Sequence, residues 1–296
     1  MALRVSRELL SAAPAAACTR ESYLAITLDA GRARGPVRAA GGGDAGAAAV
    51  LVRHLRALSQ ALAGADLEVM HWLGARDLAE AIRTAYDPQA AGALDARRAL
   101  ADWAAMHGKA GTTLAPGVSP RNAGPVHAEA LPGSYRHDGA VSVSYWVSEW
   151  PRSGAYCTVL APLLADGIAR RSFSLVLEPM PPRAAERAVM RERTERDVAV
   201  RMRQRTGQVV PEHERAAMAM AASQDAERAA GHGLVRFTGY ATVTVTDPDD
   251  LEDACAALEA DAAAARIDLR RMWLNQDTGF ALGALPVGLG LPRRRW

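Results

Sequence analysis

The sequence predicts an α+β protein built from two strand-helix modules, with mixed or antiparallel sheets and a long charged helical excursion. Three observations support this prediction. Alanine dominates an apolar content of 49%, and only 3 phenylalanines occur, which favours closely packed helices. Several short segments alternate apolar and polar residues with the period of a strand. A stretch rich in glycine, proline and serine at residues 108–136 indicates a linker between the two halves.

The first module, residues 1–107, is predicted to run strand, helix, strand, helix and then a third helix. The alternating segments 22–30 (SYLAITLDA) and 65–73 (ADLEVMHWL) predict its two strands. Gly64 stands where the C-terminal cap of the first helix is expected. That first helix is predicted from apolar residues at helical spacing, namely Val50, Leu51, Leu55, Leu58 and Leu62. The other two helices are predicted over residues 74–88 and 93–106.

The second module, residues 137–296, contains the clearest strand patterns. Strands are predicted over residues 139–151, 170–179, 234–247 and 267–274, with a helix around residues 156–168. Asp247 precedes Pro248 and two further aspartates, which predicts a capped helix start. The helix that follows is expected to bury Cys255 as a small core residue. The run 275–290 is expected to complete the fold.

Residues 183–230 predict a helical insertion in this module. From Arg183 to Arg228, ten arginines mix with eight acidic residues, and apolar residues suffice only for a thin buried stripe. A projecting helical hairpin and a solvated helix lying on the domain both fit this pattern. A basic arm that binds nucleic acid is a further alternative. It would use arginines such as Arg191, Arg193, Arg201, Arg203 and Arg205.

The sequence contains no recognisable catalytic, cofactor or metal motif. The cysteines Cys18, Cys157 and Cys255 form no C-x-x-C pair, and the seven histidines are scattered without ligand spacing. The formal net charge of +2 gives no global reason to bind polyanions. No window approaches the roughly 18 uninterrupted apolar residues that a membrane span requires. We therefore expect no cofactor, no metal and no catalytic residue.

The segment 144–152 (SYWVSEWPR) is the most suggestive part of the chain. Strand alternation predicts that Tyr145 and Val147 face a core with Val141 and Val143, while Trp146 and Trp150 lie on the outer side. Glu149 has the core-facing parity, so we expect a hydrogen-bonded or ion-paired carboxylate there. We predict an interaction surface at the two tryptophans, to which the arginines of the insertion could add. This predicted surface comprises Trp146, Trp150, Arg191, Arg193 and Arg201.

Several segments carry a family resemblance that covers nearly the whole chain. They are Cys18–Leu28, Y-W-V-x-E-W-P (Tyr145–Pro151), A-P-L-L (Ala161–Leu164), R-R-S-F-S-L-V-L-E-P (Arg170–Pro179), F-T-G-Y-A-T-V-T (Phe237–Thr244) and A-L-P-V-G-x-G (Ala284–Gly290). In these segments the chain resembles an actinobacterial family of membrane-associated components of conjugation or secretion machines, of type IV or type VII-like kind. More distantly, it is similar to the N-terminal, non-ATPase domain of conjugative ATPases.

The resemblance implies a non-enzymatic assembly component at the cytoplasmic face of the membrane. A secretion or conjugation ATPase, other membrane components and further copies of the chain would be its partners. Family members usually carry two membrane segments upstream, whereas this sequence begins at MALRVSRELL. We therefore expect a truncated product or a mis-assigned start, and docking to a membrane complex. Two alternatives stay open, a nucleic-acid-binding accessory protein and a hydrolase using Glu149 or Cys157.

Overall fold

The computed structural model describes residues 20–107, 116–151, 158–165, 167, 169–182, 184–187, 189–191, 194, 198 and 233–289. The helices of these parts are α1 (Arg34–Ala39), α2 (Gly43–Gly64), α3 (Ala75–Tyr86), α4 (Ala91–Met106), α5 (Leu251–Ala264) and α6 (Gln276–Gly283). The strands are β1 (Ala128–Ala130), β2 (Tyr135–His137), β3 (Ala140–Glu149), β4 (Arg170–Pro179), β5 (Val235–Val245) and β6 (Asp268–Arg271). Short 3-10 turns lie at Pro88–Ala90, Pro120–Asn122 and Pro248–Asp250. The predicted α+β class is confirmed.

Strand β3 is the centre of one antiparallel sheet with the order β1-β2-β3-β5-β4. β5 pairs with residues 141–146 of β3, so it occupies one edge of that strand. Since a strand has only two edges, β2 and β6 share the other edge, end to end. β2 pairs with residues 140–142 of β3, and β6 pairs with residues 145–149.

Contacts divide the chain into two units. The first comprises Met1–Ser174 with Gly239–Leu289, and the second comprises Leu175–Thr238 with Gly290–Trp296. Residues 128–130 and 135–136, within the stretch expected to be a linker, contribute to β1 and β2. The division of the chain at residues 108–136 stays a prediction. Of the helical insertion at 183–230, the described residues between 184 and 198 are helical, and the remainder lies outside the described residues.

One face of the sheet forms the main apolar core of the first unit. Val143 and Val243 are fully buried there, and Tyr145 is 1% exposed. α5 covers this face with Ala254, Cys255, Leu258 and Ala262, so Cys255 is a buried core residue, as predicted. We call this the core face. Asp247 accepts a hydrogen bond from the Asp249 N–H, which confirms the predicted capped start ahead of α5.

Two strands predicted for the first module are absent from the described residues. Residues 20–29 and 67–74 have no regular structure. A strand needs a neighbour to accept its backbone hydrogen bonds, and neither segment pairs with a strand of the sheet. Instead, the Thr27 hydroxyl donates to the Gly288 carbonyl, while Met70 is 84% exposed. Alternation of residue type alone therefore gave a wrong prediction at both places.

Three further predictions are corrected at helix ends and in loops. Residues 158–165 form turns rather than the predicted helix, because Pro162 has no N–H to continue one. Gly64 is the last residue of α2 rather than its cap, and Asp66 takes the left-handed conformation with φ of 59°. α6 lies in the run 275–290, for which no helix was predicted. The helices predicted around α2, α3 and α4 are confirmed.

Candidate interaction surface

A β-bulge near the end of β3 decides where the residues of the SYWVSEWPR segment lie. Val147 pairs with Leu269, and Glu149 pairs with Asp268, so Ser148 is an extra residue in β3. An extra residue reverses the alternation of faces beyond it. Val147 therefore keeps the core face, as predicted, whereas the residues after the bulge exchange sides.

The reversal corrects the predicted positions of Trp150 and Glu149. Trp150 packs against the apolar core, with its ring edge-to-face to Phe173 at a centroid separation of 6.5 Å. Glu149 is exposed on the other face instead of lying at the core. The prediction failed because simple alternation assumes an uninterrupted strand. The Ser148 hydroxyl, which donates to the Asp268 carboxylate and to its carbonyl oxygen, fixes the bulge.

Trp146 lies before the bulge and occupies the predicted outer position. Its side chain is 42% exposed, and it pairs across the sheet with Arg270 of β6 and Tyr240 of β5. Arg270 is also exposed, with 68% of its side chain accessible, and its guanidinium lies 3.9 Å from the Asp268 carboxylate. Cross-strand pairing places Trp146, Arg270, Asp268 and Glu149 on one face. We call these four residues the Trp146 surface.

The Trp146 surface combines an aromatic centre with charges of both signs. An exposed tryptophan beside an arginine is the composition that recurs at the energetic centres of protein interfaces. Beside the Trp146 surface is an open depression. Its lining includes Glu149 and Asp268 together with Trp150, Pro151, Arg266 and Ile267. The arrangement exposes an apolar ring next to charged groups of both signs. Nothing in it positions a nucleophile.

The predicted arginines of the surface divide between described and undescribed parts of the chain. Arg191 belongs to the second unit and is exposed. Arg193 and Arg201 lie outside the described residues, as do Arg203 and Arg205. Cys157, proposed for a hydrolase, also lies outside them. The interaction role of all these residues stays a prediction.

The second face of the sheet is polar and yet buried next to Trp146. Ser142 faces Thr244 and Ser144 faces Thr242 across β3 and β5, with hydroxyl separations of 2.7 and 2.9 Å. The sequence predicted only one buried face for this strand. Burial of the second face is possible because each of these four hydroxyls has a hydrogen-bond partner. We call this the polar face.

Helix α6 covers the polar face at unusually close range. A Cβ atom on Gly279 would lie 2.6 Å from Ser144 Cβ, and one on Gly283 would lie 2.4 Å from Thr242 Oγ1. The Gln276 side chain, 1% exposed, accepts from the Ser144 N–H at 2.8 Å and donates to the Ser144 carbonyl at 3.3 Å. On this edge of β3, β2 pairs with residues up to 142 and β6 pairs with residues from 145 onwards, so Ser144 lies in the gap between β2 and β6. Gln276 thus replaces a strand neighbour at this gap.

A buried histidine completes the polar face. His137 Nε2 lies 2.7 Å from Ser142 Oγ, and its Nδ1 lies 2.5 Å from the Tyr86 carbonyl oxygen. A carbonyl only accepts, so Nδ1 carries the proton and Nε2 accepts from the serine. A serine bonded to a histidine resembles a nucleophile with its base. However, Ser142 has no exposed surface and His137 only 1%, so no substrate reaches the pair.

Motif searches missed His137, Ser142 and Gln276, because these residues follow no catalytic or metal spacing. Two sequence signals could have found the polar face. Hydroxyl residues occupy two successive alternate positions in each strand, Ser142 and Ser144 in β3 and Thr242 and Thr244 in β5. Gly279 and Gly283 are four residues apart, which places them on one helix face. Among the described residues, no group of three metal-ligating side chains comes together. No helix in these parts is long and apolar enough to cross a membrane.

Comparison with known protein families gives a match to the N-terminal part of the chain. Residues 16–147 match the family model described as "EccE: Putative type VII ESX secretion system translocon, EccE". The match includes α1–α4, β1, β2 and most of β3, which is less than half of the chain. The match supports the predicted resemblance to a family of secretion-system components. No curated protein and no solved structure matches significantly.

Proposed function

We propose that the protein is a non-enzymatic assembly component of a type VII-like secretion apparatus. In this proposal it docks at the cytoplasmic face of the membrane onto membrane components of the apparatus and its secretion ATPase. The observation that carries the proposal is the match of residues 16–147 to a secretion translocon family. The similarity to conjugative ATPases, and with it a role in conjugation, remains a prediction of the sequence.

The Trp146 surface is the docking site that we propose for this function. Trp146 lies on the central strand, so burial of its ring by a partner would involve little ordering of the backbone. Arg270 and Glu149 offer both charges at the rim of the contact. A flat mixed surface of this kind suits a folded protein partner better than a small ligand.

A binding measurement with the secretion ATPase from the same apparatus tests the proposal. The full chain would be co-expressed with the ATPase, and binding would be quantified with the purified proteins by biolayer interferometry. Trp146→Ala is expected to weaken binding at least tenfold, because alanine substitution at an interface tryptophan typically costs about 2 kcal/mol or more. Arg270→Ala is expected to weaken it less, since its charge lies at the rim.

Two other exposed tryptophans provide matched controls. Trp273 is 59% exposed and Trp103 is 46% exposed, and neither belongs to the Trp146 surface. Trp273→Ala and Trp103→Ala should leave the affinity within twofold of the unchanged chain. Equal losses for all three tryptophans would contradict the proposed site. Absence of binding to the ATPase and to the other membrane components would contradict the function itself.

A further inference from the structure

The buried histidine of the polar face occupies the junction of three structural elements. His137 belongs to β2, its Nδ1–H donates to the last residue of α3, and its ring lies 4.5 Å from that of Phe280 in α6. Tyr86 and Tyr135 enclose it further, with ring centroids 5.7 and 5.4 Å away. The imidazole therefore joins the C-terminal end of α3 to the sheet from inside a closed aromatic environment.

The neutral ring satisfies every hydrogen bond in this environment. Its Nε2 accepts from Ser142, which in turn accepts from Thr244 at 2.7 Å. Hydroxyl protons rotate, so a protonated ring could donate to Ser142 and the hydroxyl chain would reverse its direction. Protonation therefore keeps the hydrogen bond to Ser142. What it adds is a positive charge in a place that water does not reach.

The charged groups around His137 do not offer that charge a free partner. Asp138 and Asp87 lie on the neighbouring elements, but Arg83 already pairs with both, at 2.8 and 2.9 Å. Asp138 also accepts the backbone N–H groups of Val126 and His127. Arg170 of β4, which donates to the Thr84 carbonyl of α3, is positively charged and therefore disfavours protonation of the His137 ring.

The remaining titratable groups near His137 are neutral tyrosines and one more carboxylate. Burial raises the pKa of Tyr86 to about 12, so its hydroxyl stays protonated. Burial and, to a smaller extent, Asp277 of α6 raise the pKa of Tyr135, so its hydroxyl also stays protonated. Burial, the largest influence, lowers the pKa of His137, and it outweighs the attraction of Asp138 and Asp87.

We propose that His137 is an acid-sensitive latch, which holds the C-terminal end of α3 against the sheet while neutral and releases it when protonated. The closed junction resists protonation, whereas an opened junction exposes the ring to water. Because the opened form binds the proton more readily, acid shifts the equilibrium towards opening. The stabilisation is fully present above the ordinary histidine pKa of 6.5 and decreases as the pH falls below it.

Hydrogen exchange of the full chain between pH 7.5 and 5.0 tests the latch. After correction for the intrinsic exchange rate, peptides covering residues 83–90 and 135–142 should open up to about 30-fold more often at pH 5. That limit follows from an open-state pKa of about 6.5. Peptides from α5, which packs on the core face, should show no such change. Unchanged protection of residues 83–90 down to pH 5 would overturn the proposal.

Two variants separate His137 from the other titrating groups. His137→Gln removes the titrating ring, so the pH dependence of opening should disappear. His127→Gln changes an exposed histidine 10 residues away in sequence, and this variant should keep the pH dependence of opening. An identical pH dependence in both variants would contradict the latch. If His137→Gln fails to fold, nuclear magnetic resonance titration of the ring in the unchanged chain decides, because a His137 pKa at or above 6.5 excludes the latch.

Discussion

Replacement of Gln276 by leucine should destabilise the first unit more than any surface change of similar size. Leucine fills nearly the same volume but can neither accept from the Ser144 N–H nor donate to its carbonyl. The Ser144 carbonyl keeps its other hydrogen bond, which it accepts from the Met272 N–H at 3.0 Å. The main loss is therefore that the buried Ser144 N–H has no acceptor. Such a group costs about 1–3 kcal/mol, and we expect a loss of about 2 kcal/mol in the free energy of unfolding.

Thermal unfolding followed by circular dichroism measures this loss. For a unit of about this size, 2 kcal/mol corresponds to a decrease of roughly 4–8 °C in Tm. Gln60→Leu in α2 is the matched control, since Gln60 is exposed and should shift the free energy by less than about 0.5 kcal/mol. A Tm for Gln276→Leu within about 1 °C of the unchanged chain would refute the view that Gln276 replaces a strand neighbour.

Two further substitutions test the close packing of α6 and the charge cluster beside His137. Gly279→Ala should cost about 1–3 kcal/mol in thermal unfolding, because its methyl group would collide with β3. By contrast, Gly92→Ala in α4 meets nothing within 4 Å and should stabilise by up to about 1 kcal/mol. Arg83→Met should cost about 3–5 kcal/mol in urea unfolding, because it leaves the largely buried Asp138 carboxylate without its counter-ion. Arg32→Met, at an exposed ion pair, should cost less than about 1 kcal/mol, and equal losses for the two arginines would contradict this account.

The strands of the second half could be predicted from the sequence because they combine several signals. In β3 and β5 the alternation extends over many residues and coincides with real burial of Val143 and Val243. The capped start ahead of α5 was predicted from Asp247 because side-chain capping is a local effect. In contrast, residues 22–30 and 65–73 alternate without a strand beside them. Pattern alone does not show whether a partner exists.

The candidate surface was predicted only in part, for a reason that concerns one residue. Trp146 was assigned to the correct face, since nothing interrupts β3 before it. The bulge at Ser148 then exchanged the sides of Glu149 and Trp150. No local sequence signal predicts this bulge. α6 was missed because glycine disfavours helices in isolation. Here glycine at position 279 is what allows the helix to approach the polar face.

The hydrogen-bond partners within the polar face could not be predicted, because they are far apart in sequence. Gln276 bonds to Ser144 across 132 positions, and Tyr86 bonds to His137 across 51 positions. Such contacts depend on the completed sheet rather than on local propensity. The absence of a catalytic motif was observable from the sequence, whereas the burial that closes the His137–Ser142 pair required the structure.

Assembly of the secretion complex in the organism of origin tests the central claim most directly. The gene would be deleted and replaced by the unchanged gene, by Trp146→Ala or by Trp273→Ala, and the complex would be isolated from solubilised membranes by native electrophoresis. We predict that the deletion and Trp146→Ala lose the intact complex, while the unchanged gene and Trp273→Ala restore it, at equal amounts of each protein. An intact complex in the deletion strain would contradict the claim that this protein is an assembly component.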